Sequence, residues 1–169
     1  MSQKLVRYLA VPMALVLLLS GPAVAAETYQ ANLGPMPLDQ ANRATKLGRG
    51  EATATLDGKI LIVSGNFIGL SSPAIKAHLY VSPHIGVPGV DGFDLVVTEA
   101  VNGTVSGQLV LNASQAAAFR TGRLYVQIDS QKAPTGNLWG WLLPQHYDAP
   151  PGVPQPGPWF LPQLSTPTR

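Results

Sequence analysis

The sequence predicts an all-β fold: an antiparallel β-sandwich of Ig-like or Greek-key type with one short helix. Three observations carry that prediction. Leu124, Val126 and Ile128 alternate with Tyr125, Gln127 and Asp129, the period of two that turns one face of a strand toward a core. Turn dipeptides, Asp57-Gly58 and Asn102-Gly103, separate alternating runs in the manner of tight hairpins. Seventeen glycines and 16 prolines among 169 residues, with only 12% charged residues, suit many short strands joined by turns. A single helical segment is too little for a parallel strand-helix-strand sheet.

The first 26 residues read as a secretory signal. Lys4 and Arg7 precede the apolar run Leu9 to Leu19, and Ala23-Val24-Ala25 forms an A-x-A cleavage site. The run is about half of the ~20 residues a membrane-spanning helix needs, and no cysteine is present to carry a lipid. Of the 11 basic residues, Lys4 and Arg7 leave with the signal, and none of the 9 acidic ones does, so nine of each remain. The pI of about 9.0 therefore belongs to the precursor and does not point to nucleic acid. An exported chain with no cysteine must hold itself together by its core. The expected location is the periplasm or the extracellular space, with no membrane insertion after cleavage.

A single domain is expected over residues 27-144. Tyr29 to Leu33 reads as an edge strand stopped by Gly34-Pro35-Met36-Pro37, and Arg43, Lys46 and Arg49 fall in a solvated loop. Glu51 to Leu56 and Lys59 to Phe67 form a hairpin about Asp57-Gly58, with a bulge expected at Gly65. Ile75 to Ser82 is a strand that puts His78, Tyr80 and Ser82 on one face and Ala77, Leu79 and Val81 on the other. The Pro- and Gly-rich stretch 83-92 is a loop, Phe93 to Thr98 a strand, and Thr104 to Leu111 its return after Asn102-Gly103. Asn112 or Ser114 caps a short helix rich in alanine that Gly122 ends. The final hairpin pairs the Leu124 strand with Leu138 to Leu143. Residues 145-169 hold seven prolines and read as an extended tail of polyproline character.

Several pieces in order resemble the CHRD domain family. They are Gly69-Leu70, Ala77-His78-Leu79-Tyr80, Gly103 with Gly107-Gln108-Leu109-Val110-Leu111, Gln115 to Arg120 leading into Gly122-Arg123-Leu124-Tyr125-Val126, and Pro134-Thr135-Gly136-Asn137-Leu138-Trp139-Gly140. The resemblance covers roughly residues 28-144. It implies a β-sandwich or Ig-like barrel and an exported module, and it carries over no reaction. The sequence departs from the family pattern where chemistry is expected. Tyr80 replaces the second histidine of a pair, and Asp129 replaces a histidine after the Leu-Tyr-Val strand. Asn137 and Trp139 stand for the Glu and Arg of the last motif.

The residues favour a non-catalytic binding or structural module over an enzyme. There is no Gly-x-Ser-x-Gly elbow and no cysteine nucleophile, and Asp91, Asp94 and Glu99 lack an aromatic platform for sugar hydrolysis. No glycine-rich phosphate loop and no basic-aromatic interleaving are present. The best binding surface is aromatic: Trp139 and Trp141 share one face of a strand, and Tyr125 belongs to a neighbouring strand. Such rings suit a protein or glycan ligand if they face outward. In the opposite register the tryptophans fill the core and Leu138 and Leu142 face water. No cofactor is expected. The alternative from another class is a copper or zinc site built on His78, His84 and Asp129, in a metal-handling or redox protein.

Overall fold

The computed structural model describes residues 25-144. Residues 1-24 of the expected signal and the Pro-rich tail lie outside the described residues. Inside them nine strands and one helix follow one another: β1 (Glu27–Pro35), β2 (Arg49–Asp57), β3 (Ile60–Ile68), β4 (Ala74–Val81), β5 (Asp91–Val97), β6 (Gly103–Val110), α1 (Ala113–Arg120), β7 (Leu124–Ser130), β8 (Ala133–Trp141) and β9 (Leu143–Pro144).

The strands do not form two layered sheets. They run in the order β2-β3-β6-β5-β4-β7-β8-β1, and β1 returns to pair with β2, so eight antiparallel strands close on themselves. The sandwich expectation is thereby corrected to a closed barrel. β1 decides it. Read as an edge, it is hydrogen-bonded on both sides: to β2 from Glu27↔Leu56 to Leu33↔Gly50, to β8 at Gly34↔Trp139 and to β9 at Tyr29↔Pro144. Closure removes the exposed edges that two open sheets would leave. β3 lies beside β6 rather than β4, which gives the Greek-key order.

The interior of this eight-stranded barrel is filled by side chains, and the inward rows mix large residues with small. Leu61, Val63, Phe67, Leu79, Leu124, Val126, Ile128, Leu138 and Leu142 are buried beside Ala31, Ala52, Ala54 and Ala77. Gly65 belongs to this packing and not to a bulge: its register with Ala52 and Val105 is regular, and a Cβ there would strike the Glu51 carbonyl and Ala52. The irregular registers fall elsewhere, between Ala74 and Lys76 in β4 and between Ile128 and Ser130 in β7.

The helix closes one mouth of the barrel. Asn112 caps it by accepting from the Gln115 N–H, and Gln115 returns the bond to the Asn112 N–H, a capping box. Gly122, at φ 68, takes the left-handed turn that ends it. Its Phe119 is fully buried, with its ring 4.2 Å from that of Tyr29. Outside the mouth Arg120 pairs with Glu27 at 2.7 Å.

The loop 36-48 is fastened near the other mouth, and buried Asn137 is the fastening. Its amide donates to the Leu47 carbonyl at 2.7 Å, its side-chain oxygen meets the Ser130 hydroxyl at 3.0 Å, and its backbone carbonyl accepts from Met36.

Two expected turns differ in detail. The first hairpin turns on Gly58-Lys59, because Asp57 pairs with Ile60, and Gly58 at φ 59 takes the position where two-residue hairpins favour glycine. Asn102-Gly103 is not a tight turn: residues 98-102 connect β5 to β6, and the Asn102 side chain accepts from the Gly69 N–H at 2.7 Å.

Candidate functional site: an aromatic face on the barrel wall

The site lies on the outer wall, where β4, β7 and β8 run side by side. Pairing sets the rows. Tyr80 of β4 lies opposite Tyr125 of β7, which lies opposite Trp141 of β8. One row on, His78 lies opposite Gln127, and Gln127 opposite Trp139. Inward-facing Leu138, Gly140 and Leu142 alternate with Trp139 and Trp141, so the tryptophans face outward. Of the two registers open in the sequence, the structure takes this one.

The rings form one connected cluster with Tyr125 at its centre. Tyr125 stacks on Tyr80 at 5.3 Å and 25°, meets Trp141 at 4.6 Å and meets Trp139 edge-on at 6.0 Å and 85°. The two indoles lie 6.2 Å apart at 59°, and His78 lies 5.4 Å from Tyr80. Tilted and edge-on contacts of this kind suit the ring quadrupoles. Tyr125 is only 1% exposed although it points away from the barrel interior. It is the floor of the face, and partly exposed Tyr80, Trp139 and Trp141 are its surface. Gly92 makes room, since a Cβ there would meet the Tyr80 ring at 2.7 Å.

The loop 82-90 fixes the floor at one end. The Tyr125 hydroxyl accepts from the Gly89 N–H at 3.2 Å. Buried Ser82 holds the loop's shape, its hydroxyl lying between the carbonyls of His84 and Val87. Burial raises the Tyr125 hydroxyl above the usual tyrosine value, and the Gly89 bond opposes it. Tyr80 is likewise raised, first by burial and then by Asp129 and Asp94. Both stay neutral in neutral water and keep a proton to donate.

A polar chain borders the rings. Gln127 donates to one oxygen of Asp129 at 2.8 Å, the other Asp129 oxygen lies 3.8 Å from His78 Nε2, and His78 Nδ1 meets Asp94 at 3.0 Å. Asp129 is buried and Asp94 fully in water. Burial raises the Asp129 carboxyl above its ordinary value, against the lowering effects of Gln127, His78 and Lys76. Beside this chain β4 and β5 part to leave a groove of about 290 Å³ lined by Lys76, His78, Asp94, Val97 and Glu99.

The proposed ligand-contact residues Tyr125, Trp139 and Trp141 are thus brought together, with Tyr125 beneath rather than on the surface. Of the three metal candidates, His78 and Asp129 are neighbours, but His84 sits exposed in the 82-90 loop. Among the described residues no three His, Asp or Glu side chains are arranged to hold a metal. Sequence reasoning missed Tyr80, Gln127 and Asp94 as members of the face. Tyr80 was legible as sharing a face with His78; only the β4-β7 register aligns it with Tyr125.

A family model described as the CHRD domain matches residues 29–142. The chain belongs to the CHRD domain family. No curated protein and no solved structure matches it. The match covers nearly all of the barrel, from Tyr29 in β1 to Leu142 beyond β8, so the aromatic face is part of the CHRD domain itself. CHRD domains occur in secreted and extracellular proteins and suggest a binding or structural module. No helix among the described residues is long and apolar enough to cross a membrane.

Proposed function

We propose that this CHRD domain is a non-catalytic binding module of the periplasm or the extracellular space, and that Trp139, Trp141 and Tyr80 form its contact face. The observation that carries the reading is the seating of two partly exposed indoles on a buried tyrosine that the Gly89 N–H holds in place. Aromatic residues lose little conformational freedom on binding and present large apolar area with a polar tip, and rings already braced from below lose less still. Such a surface suits a protein or a glycan, whose apolar faces stack on indoles. Export is supported by the charged start, apolar run and A-x-A site of residues 1-26.

The test is a glycan and pull-down screen of the wild type beside Trp139→Ala/Trp141→Ala, with circular dichroism to establish that the variant is folded. Ligands captured by the wild type are expected to be lost by the folded double variant. Capture that survives both substitutions removes the face from the function.

A further inference from the structure

We propose that the aromatic face is a polyproline-docking surface and that its occupant is this chain's own Pro-rich segment, residues 145-169. The inference rests on the reading of Tyr80, Trp139 and Trp141 as a contact face and goes beyond it by naming what covers that face.

Chemistry is the first argument. Clefts between aromatic ridges are the surfaces that bind polyproline helices, because a proline ring packs on an aromatic face and the helix is already ordered before it docks. The ridges here are two indoles 6.2 Å apart and tilted by 59°, with the Tyr80-Tyr125 stack beside them. The indole N–H groups and the Tyr80 hydroxyl are donors for the carbonyls that proline leaves without a partner N–H.

Composition supplies the occupant. Pro150, Pro151, Pro154, Pro156, Pro158, Pro162 and Pro167 fall in the segment, and Pro151-Gly152-Val153-Pro154 has the P-x-x-P spacing. Its Asp, Glu, Lys and Arg residues are Asp148 and Arg169 alone, beside one histidine, His146, so the ligand is close to neutral and suits an apolar face.

Position completes the argument. The barrel ends at Leu143–Pro144, paired to Tyr29 and Gln30. Pro144 is three residues from Trp141 and five from Trp139, roughly 17 Å back along the strand at the strand rise. Pro151 to Pro154 lie seven to ten residues past Pro144, a reach of about 22–31 Å in a polyproline helix. The reach therefore spans both indoles after one reversal. A tether this short gives an effective concentration in the ~mM range, so a weak site is filled. Another exposed apolar surface among the described residues, Ile60, Ile62, Val96 and Val110 on β3, β5 and β6, is aliphatic and has no ring to receive proline.

The absence of cysteine permits a clean test. Gln155→Cys in the full-length protein carries a nitroxide label, and the indole N–H signals of Trp139 and Trp141 are read by NMR. Both signals are expected to lose most of their intensity. Intensity should return when Pro151, Pro154, Pro156 and Pro158 are all replaced by Ser, with tether length and label position unchanged. Equal broadening in both proteins, broadening in neither, or broadening centred on the Ile60, Ile62 and Val96 methyl groups overturns the proposal. The contact-face reading is judged by the glycan and pull-down screen of Trp139→Ala/Trp141→Ala, so a failure of the docking proposal is distinguishable from a failure of that reading.

Discussion

β6 and β7 are both interior strands of one closed ladder, yet their outer faces have different fates. On β6, Thr104, Ser106, Gln108 and Val110 all face water, with Val110 71% exposed. On β7, the outward residues Tyr125, Gln127 and Asp129 are as buried as the inward Leu124, Val126 and Ile128. The cause is not in the strands. The neighbours of β6 bring Ile62, Ser64 and Val96 to its outer rows, whereas those of β7 bring Tyr80, His78, Trp139 and Trp141, with the 82-90 loop across the end. Burial outside a barrel is set by what the adjacent strands carry in register.

Side-chain deletions on the two outer faces should differ sharply in their cost. Tyr125→Ala is expected to cost about 3 kcal/mol, as in a core, whereas Val110→Ala should change stability by less than about 0.5 kcal/mol, as on a surface. Urea unfolding of both variants measures the difference, and equal effects would mean that the outer rows of β7 are not a packed layer. A finer cut is Tyr125→Phe, which keeps the ring and removes only the acceptor for Gly89 N–H; it should cost about 1 kcal/mol.

Asp129 sharpens the contrast through pH. Burial raises its carboxyl in the folded chain, so the folded state holds this proton to higher pH than the unfolded state does. The contribution of this group to stability therefore falls as pH rises from the unfolded carboxyl value through the raised folded one. Asp129→Asn keeps an oxygen that can accept from Gln127 and abolishes the titration. The difference between wild-type and variant unfolding free energies should drift against the wild type across that window and level off above it. A flat difference would place Asp129 in a solvent-like setting.

How much of this was legible in the sequence depends on the range of the interaction. Local features were readable: the inward row Leu124, Val126 and Ile128, a cap at Asn112 or Ser114, the Gly122 stop and the alternation about Trp139 and Trp141 all follow from residues within a few positions. Closure was not, because alternation in β1 is the same whether its second side meets solvent or β8. The sandwich expectation failed at that point. The site was half legible for the same reason. Tyr125, Trp139 and Trp141 were read as one face, but only cross-strand register reveals that Tyr80 roofs Tyr125 and that His84 stays apart from His78 and Asp129. Asn102-Gly103 misled because the Asn side chain serves Gly69, 33 residues away.

The outward placement of the two barrel tryptophans is the claim on which the binding reading rests, and it is measurable without a ligand. In a protein carrying Trp159→Phe together with Ser in place of Pro151, Pro154, Pro156 and Pro158, Trp139 and Trp141 are the remaining indoles, since the chain has three tryptophans, and the segment proposed to cover them no longer docks. Acrylamide is expected to quench their fluorescence in the folded state, and Tyr80→Ala should make them more accessible. Indoles that resist acrylamide until the protein is unfolded would place them in the barrel interior and contradict the account.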